Sequence, residues 1–298
     1  MDTKNWMSHI ADDTPISAIS IPATHDSATR YSDARIIACC QSLFISEQLD
    51  IGCRVFDIRL DMDGGRFRCV HGISSCRKSG GLFAPALTFD DIYASFSRFL
   101  AENPGETVSA VIMADRGERS EIFYREFYKK YVENNPLWYT ENRVPSLGEC
   151  RGRIVLINRC REDTGAFDDG AFGINFSHWP YQGKAELPSV MSFDVPLLSG
   201  GGAAASVVVQ DKYTLRNAAK WKEAALPMFT STQPDGKIYI NCLSTAGELN
   251  PRRSAHRINP EAVNYLTKNR SFCGWVLMDF ANRQLCEAVI HCNRGGEL

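Results

Sequence analysis

Two histidines, three arginines and several carboxylates stand at the ends of short apolar runs in this chain. His25 and Asp26 follow ISIPAT, and Asp57 and Arg59 lie in CRVFDIRL. His71 ends FRCVH, Asp115 and Arg116 follow VIMA, and Arg159 follows RIVLIN. Asp211 and Tyr213 follow VVVQ, and Asp279 follows WVLM. Histidine suits acid–base work because its unperturbed pKa, about 6.5, lies close to working pH. One histidine after a strand is more often structural than catalytic. Two of them among arginines and carboxylates, at equivalent places on different strands, describe a phosphoryl-transfer site without a metal. One histidine takes a proton from a nucleophilic hydroxyl, and the other returns one to the leaving oxygen. Arginine replaces the metal in stabilising charge on the transferring phosphoryl group. A carboxylate behind a histidine fixes its tautomer and stabilises the imidazolium.

Such residues must be brought together by elements far apart in sequence. Eight β-like runs are read at Ser17–Ile21, Cys53–Leu60, Phe67–His71, Val108–Ala114, Arg153–Asn158, Ser206–Gln210, Lys237–Cys242 and Gly274–Phe280. Most are continuously apolar, as strands buried on both faces should be. Asp57 and Arg59 share a face because side chains alternate along a strand. Amphipathic stretches at Thr88–Asn103, Ser120–Asn134 and Thr214–Ala225 predict helices, as does Pro260–Asn269, with proline in its first turn. The second and third runs are separated by Asp63-Gly64-Gly65, a tight turn with no room for a helix. Strands with mostly helical crossovers predict an α/β fold, a single irregular TIM-type (β/α)8 barrel, over residues 1–298. Barrels present their chemistry at the C-terminal ends of the strands. The stretch 160–205, with Phe176, Trp179, Tyr181 and a glycine-rich run, is expected to form loops at one barrel end.

At 298 residues and 44% hydrophobic composition the chain can bury a sizeable core. A net charge of −2 argues against a general nucleic-acid binder. No run approaches the ~20 apolar residues of a membrane-spanning helix. The opening MDTKNWMSHI lacks the apolar core of a secretory signal, so the expectation is a cytoplasmic protein or one lacking a removed leader. The cysteines number 11. None forms a C-x-x-C pair, so their spacing supports no metal site, and mostly reduced thiols are expected. His9, His178, His256 and His291 lack strand-end context and are read as structural or surface residues.

IPATHDSAT at 21–29, GCRVFDIRL at 52–60, VHG at 70–72, VIMADRGE at 111–118, RIVLINR at 153–159, VQDKY at 209–213 and VLMDF at 276–280 occur in one order over nearly the whole chain. In that combination the sequence resembles the bacterial phosphatidylinositol-specific phospholipases C. The resemblance implies that His25 is the general base on the inositol 2-hydroxyl, oriented by Asp279. It implies that His71 is the general acid for the diacylglycerol oxygen, assisted by Asp26, and that Arg59 contacts the phosphate beside Asp57. Arg159 and Asp211 match residues that bind inositol hydroxyls, and Tyr213 matches the aromatic that stacks on the ring. Arg116 stands where the family often has lysine and is taken by the resemblance as a further substrate-binding residue, although the two side chains differ in hydrogen-bond geometry.

Calcium-dependent eukaryotic relatives carry a metal-binding carboxylate in place of Arg59, so no cofactor or metal is expected here. The implied products are diacylglycerol and inositol 1,2-cyclic phosphate, released by a monomer in transient contact with a membrane surface. Ile36, Ile37, Leu43, Phe44, Leu82 and Phe83 are either rim residues for that contact or packing residues. Two rival readings are a glycerophosphodiester phosphodiesterase and a catalytically silent inositol-lipid- or glycan-binding barrel. The first family usually has H-R-G near its first strand and a carboxylate metal site, where this chain has H-D-S and an arginine; the second is opposed by the presence of both histidines.

Overall fold

The computed structural model describes residues 2–81, 83–116, 121–160, 167–199 and 201–293. Its wall is built from β1 (Ile21–Thr24), β2 (Val55–Asp63), β5 (Val108–Ala114), β6 (Trp138–Tyr139), β7 (Ile154–Asn158), β10 (Ala203–Gln210), β11 (Ile238–Cys242) and β12 (Trp275–Met278). Neighbours along the order β6-β7-β5-β2-β1-β12-β11-β10 are all parallel. This is the α/β barrel architecture of the TIM type, made irregular by the remaining strands.

Two-residue periodicity explains both layers of the core. Val55, Val111, Val155, Ile157, Val207, Val209, Ile240 and Leu277 fill one apolar cluster, together with Trp6, Met7 and Ile16 from the N-terminal segment. The alternate residues Phe56, Ile58, Ala110, Ile112, Leu156 and Val276 pack in a second cluster with α1 (Phe89–Glu102) and α2 (Pro251–Lys268). Helix α1 starts where its sequence says. The Asp91 carboxylate accepts from the Thr88 backbone N–H at 3.0 Å and its hydroxyl at 2.9 Å.

Four expectations are corrected. The first strand runs Ile21–Thr24, not Ser17–Ile21, and Ile16–Ala18 is a 3-10 turn. Pro22 is tolerated near the start of this strand, where its carbonyl still accepts from Arg54 N–H at 3.0 Å. The run Phe67–His71 is not a wall strand. As β3 (Arg66–His71) it folds back antiparallel on β2 through Gly64 and Gly65, both at positive φ, and continues into β4 (Ser74–Ser75).

The stretch 160–205 is more than loop, supplying β8 (Ile174–Asn175), parallel to β7, and β9 (Met191–Pro196), antiparallel to β10. No ladder joins β8 to β9 among the described residues. Asn142 spans that seam: its Oδ1 accepts from Asn175 N–H at 2.9 Å, and its Nδ2 donates to Pro196 O at 2.8 Å. Finally, α2 begins at Pro251, capped by Asn250, and Pro260 lies inside it. The buried stripe of Ala255, Ile258, Ala262 and Leu266 outweighs the one helical bond that an internal proline forfeits.

All 11 cysteines are unbridged, and all but Cys39 are buried. No described helix is long and apolar enough to cross a membrane.

Candidate active site

The interior-facing register of the wall runs on past the strand ends and becomes polar. From Ile21 and Ala23 it reaches His25, and from Val55 it reaches Asp57 and Arg59. From Val155 and Ile157 it reaches Arg159, from Val207 and Val209 Asp211 and Tyr213, and from Trp275 and Leu277 Asp279. Six of these, together with His71, line one cavity of about 480 Å³. Asp57 lies beneath Arg59, 2% exposed.

His25 and Asp26 are adjacent, yet both approach the same guanidinium, which strict alternation would forbid. Asp26 has φ 45°, a left-handed conformation that aspartate tolerates better than most residues, and this kink turns its carboxylate inward. His25 Nδ1 lies 2.8 Å from Asp279 Oδ1, and its Nε2 lies 2.8 Å from Arg59 Nη2. A guanidinium has no acceptor, so that second contact requires a neutral ring with its lone pair on Nε2 and its proton donated to Asp279.

Burial alone would lower the pKa of this ring, but the charge and hydrogen bond of Asp279 outweigh burial and raise it to about 9. Protonation therefore breaks the Arg59 contact and leaves Arg59 with its carboxylates. Gln41 holds the two strand ends together: its Nε2 donates to His25 O at 2.8 Å and Met278 O at 2.9 Å, while its Oε1 accepts from Ala281 N–H.

Arg59 is the hub. Its Nη1 lies 3.2 Å from Asp26 Oδ2, and its Nη2 lies 3.1 Å from Asp57 Oδ2. Asp57 also accepts the Asp26 backbone N–H at 3.1 Å. Burial disfavours the Asp57 carboxylate, yet Arg59, with help from His25 and Arg159, holds its pKa well below the usual range. Burial prevails at Asp26, whose pKa is raised despite Arg59 and the two histidines.

His71 reaches the site on the β3–β4 hairpin. Its Nδ1 lies 3.3 Å from Asp26 Oδ2 and 3.1 Å from Ala38 O, and its ring centre is 6.3 Å from that of His25. Asp115 and Arg116 grip that hairpin. Asp115 Oδ2 accepts from Gly72 N–H at 2.5 Å, and Arg116 Nε donates to Gly72 O. Arg116 does not line the cavity. Its parity along β5 explains this, because Val111 and Met113 face inward and Arg116 falls on the alternate face.

On the opposite wall the Arg159 guanidinium lies 4.0 Å from the Trp179 ring centre, and Arg159 Nη2 is 3.7 Å from Asp211 Oδ2. Trp179 Nε1 donates to Asp211 Oδ2 at 3.1 Å. Trp179 stands out in the sequence only as an aromatic of the 160–205 stretch, with no role attached, and nothing in the sequence marks Gln41 or Cys40 for the site. His9, His178, His256 and His291 do not line the cavity.

No family model matches the chain. It is 25% identical over 310 residues to the 1-phosphatidylinositol phosphodiesterase of Listeria monocytogenes, across 98% of this chain and 86% of that protein. It is 27% identical over 297 residues to the protein of the same name from Staphylococcus aureus strain Newman, across 93% and 88%. A Staphylococcus aureus phosphatidylinositol-specific phospholipase C, solved in work on modulating its membrane binding, superposes with a TM-score of 0.77 at 23% identity, covering 98% of this chain and 97% of that one. The Listeria monocytogenes enzyme superposes with a TM-score of 0.69 at 23% identity, covering 98% and 99%. The chain is therefore a homologue of bacterial 1-phosphatidylinositol phosphodiesterases along almost its whole length, and it shares their barrel.

Proposed function

We propose that this protein is a phosphatidylinositol-specific phospholipase C that works without a metal ion. It cleaves phosphatidylinositol, or a glycosylated form of it, to diacylglycerol and inositol 1,2-cyclic phosphate. The observation that carries the reading is one guanidinium flanked by two histidines, each with its own carboxylate. His25, poised by Asp279, takes the proton of the inositol 2-hydroxyl, and that oxygen attacks phosphorus. His71, paired with Asp26, delivers a proton to the departing diacylglycerol oxygen. Arg59, held by Asp26 and Asp57, faces the phosphoryl oxygens and supplies the positive charge that a divalent ion would otherwise bring. Arg159, Asp211 and Tyr213 hold the inositol ring. Arg116 acts one step back, through the hairpin that carries His71.

A lipid substrate requires a surface encounter. Ile37 and Leu249 line the cavity and are 57% and 74% exposed, while Ile36, Ile73 and Phe83 are exposed at 72%, 98% and 93%. These apolar tips suit transient insertion into the interface by a monomer. Leu43 is half-buried, Phe44 is 38% exposed, and Leu82 lies outside the described residues. Phosphorus NMR on phosphatidylinositol in detergent micelles tests the reading. A cyclic phosphodiester should form at the same rate with and without EDTA. Activity abolished by EDTA, or lipid binding with no turnover, overturns it.

A further inference from the structure

Cys40 stands beside the proposed acid with no step assigned to it. It is 1% exposed and forms part of the cavity wall. Its Sγ lies 3.9 Å from His71 Nδ1, which in turn lies 3.3 Å from Asp26 Oδ2. One ligand atom from each of these residues falls within 4.8 Å of the other two. Asp26 is also 1% exposed, and its Oδ2 accepts no hydrogen bond. That oxygen has only ionic neighbours, Arg59 Nη1 at 3.2 Å, His71 Nδ1 at 3.3 Å and His25 Nε2 at 3.6 Å.

A tetrahedral zinc ion holds thiolate at about 2.3 Å and imidazole or carboxylate at about 2.0–2.1 Å, which separates sulfur from nitrogen by about 3.6 Å and nitrogen from oxygen by about 3.3 Å. The two measured separations need a shift of only a few tenths of an ångström to meet those values. Arg59 repels a cation at this place, and the carboxylates of Asp26, Asp57 and Asp279 oppose that repulsion.

We propose that Asp26, Cys40 and His71 form an inhibitory site for a soft divalent cation, with Zn²⁺ as the fitting ion. Binding displaces the Cys40 thiol proton to solvent and puts the cation where His71 Nδ1 would share a proton with Asp26. The remaining ring proton then sits on Nε2, and the imidazolium that donates to the leaving oxygen cannot form. Thiolate and imidazole favour Zn²⁺ over the oxygen-seeking Ca²⁺ and Mg²⁺. The inhibitory half of this inference rests on the proposed phospholipase reading, and the binding half does not.

The test separates the two. Zinc affinity is measured on the full chain by competition with a chromophoric chelator, for the wild type, Cys40→Ser and, as a control, the neighbouring Cys39→Ser. Cys40→Ser should weaken the tightest site by at least the roughly tenfold cost of losing a mere supporting contact, and Cys39→Ser should leave it unchanged. Co²⁺ should give a thiolate charge-transfer band in the wild type that Cys40→Ser removes. Zn²⁺ should also slow phosphatidylinositol cleavage, with EDTA restoring the rate and Ca²⁺ having no effect. Cys40→Ser, normalised to its own metal-free rate, should need at least as large a factor more zinc. Equal affinity in the wild type and Cys40→Ser overturns the site. Zinc bound through Cys40 with unimpaired turnover overturns the inhibition. A protein inactive on phosphatidylinositol that still binds zinc through Cys40 supports the site and counts against the phospholipase reading alone.

Discussion

Replacing Asp279 by asparagine tests whether the base is made by its partner. Raising His25 from about 6.5 to about 9 corresponds to about 3 kcal/mol of preference for the charged ring, an upper figure because the side chain keeps 19% exposure. Burial opposes this elevation and is the largest single influence on the ring. Removing the Asp279 charge should therefore reverse the sign of the shift, leaving His25 titrating below its ordinary value. Ring-nitrogen NMR followed against pH reads this directly. The alkaline position of the His25 transition in the wild type should move acidward by more than two units in Asp279→Asn. Turnover should fall by up to the roughly 10⁴-fold seen when a carboxylate behind a catalytic histidine is neutralised. A transition that stays near 9 in Asp279→Asn would refute the assignment of Asp279 as its cause. A wild-type value at or below 6.5 would refute the argument that Asp279 outweighs burial.

Other outcomes follow from the same geometry. Because the folded pKa of His25 exceeds its unfolded value, its contribution to stability is fully present below about pH 6.5 and is lost as pH rises through about 9. Denaturant midpoints across that window should show a decline that Asp279→Asn lacks. Arg59→Lys keeps one charge but cannot meet His25, Asp26 and Asp57 at once, so steady-state assays should show a loss in kcat of about 10² or more. His25→Ala and His71→Ala should each lower turnover on phosphatidylinositol by about 10² to 10⁴, and near-normal rates in either would misplace that histidine. Arg116→Ala should reduce kcat through looser placement of the His71 hairpin while leaving KM within roughly twofold. A large rise in KM would instead put Arg116 on the substrate.

The β8–β9 seam and the β2–β3 hairpin mark the limit of a strand-by-strand reading. The run Phe67–His71 has the composition of a wall strand, but Gly64 and Gly65 turn it back on β2, and composition cannot tell a wall strand from a hairpin return. Two-residue β8 falls below the length at which periodicity is measurable, and the seam beside it is held by the side chain of Asn142. Arg116 shows the opposite case. Counting parity from Val111 along a strand that was placed correctly already turns it away from the cavity, although the resemblance aligned it with a substrate residue.

What the sequence determined by itself is the inward register of the wall. Alternation along β2, β7, β10 and β12 carries the apolar interior to Arg59, Arg159, Asp211 and Asp279, because side-chain period is a local property of an extended backbone. Tertiary structure alone decided the pairing. The parallel contact of β1 with β12 sets Asp279 against His25 from 254 residues away, and a left-handed Asp26 turns its carboxylate to Arg59 and His71. It also decided that Cys40, unremarkable in sequence, would stand beside the proposed acid. Distances between groups on different strands depend on how the sheet curves and where chain segments cross, and no local pattern encodes that.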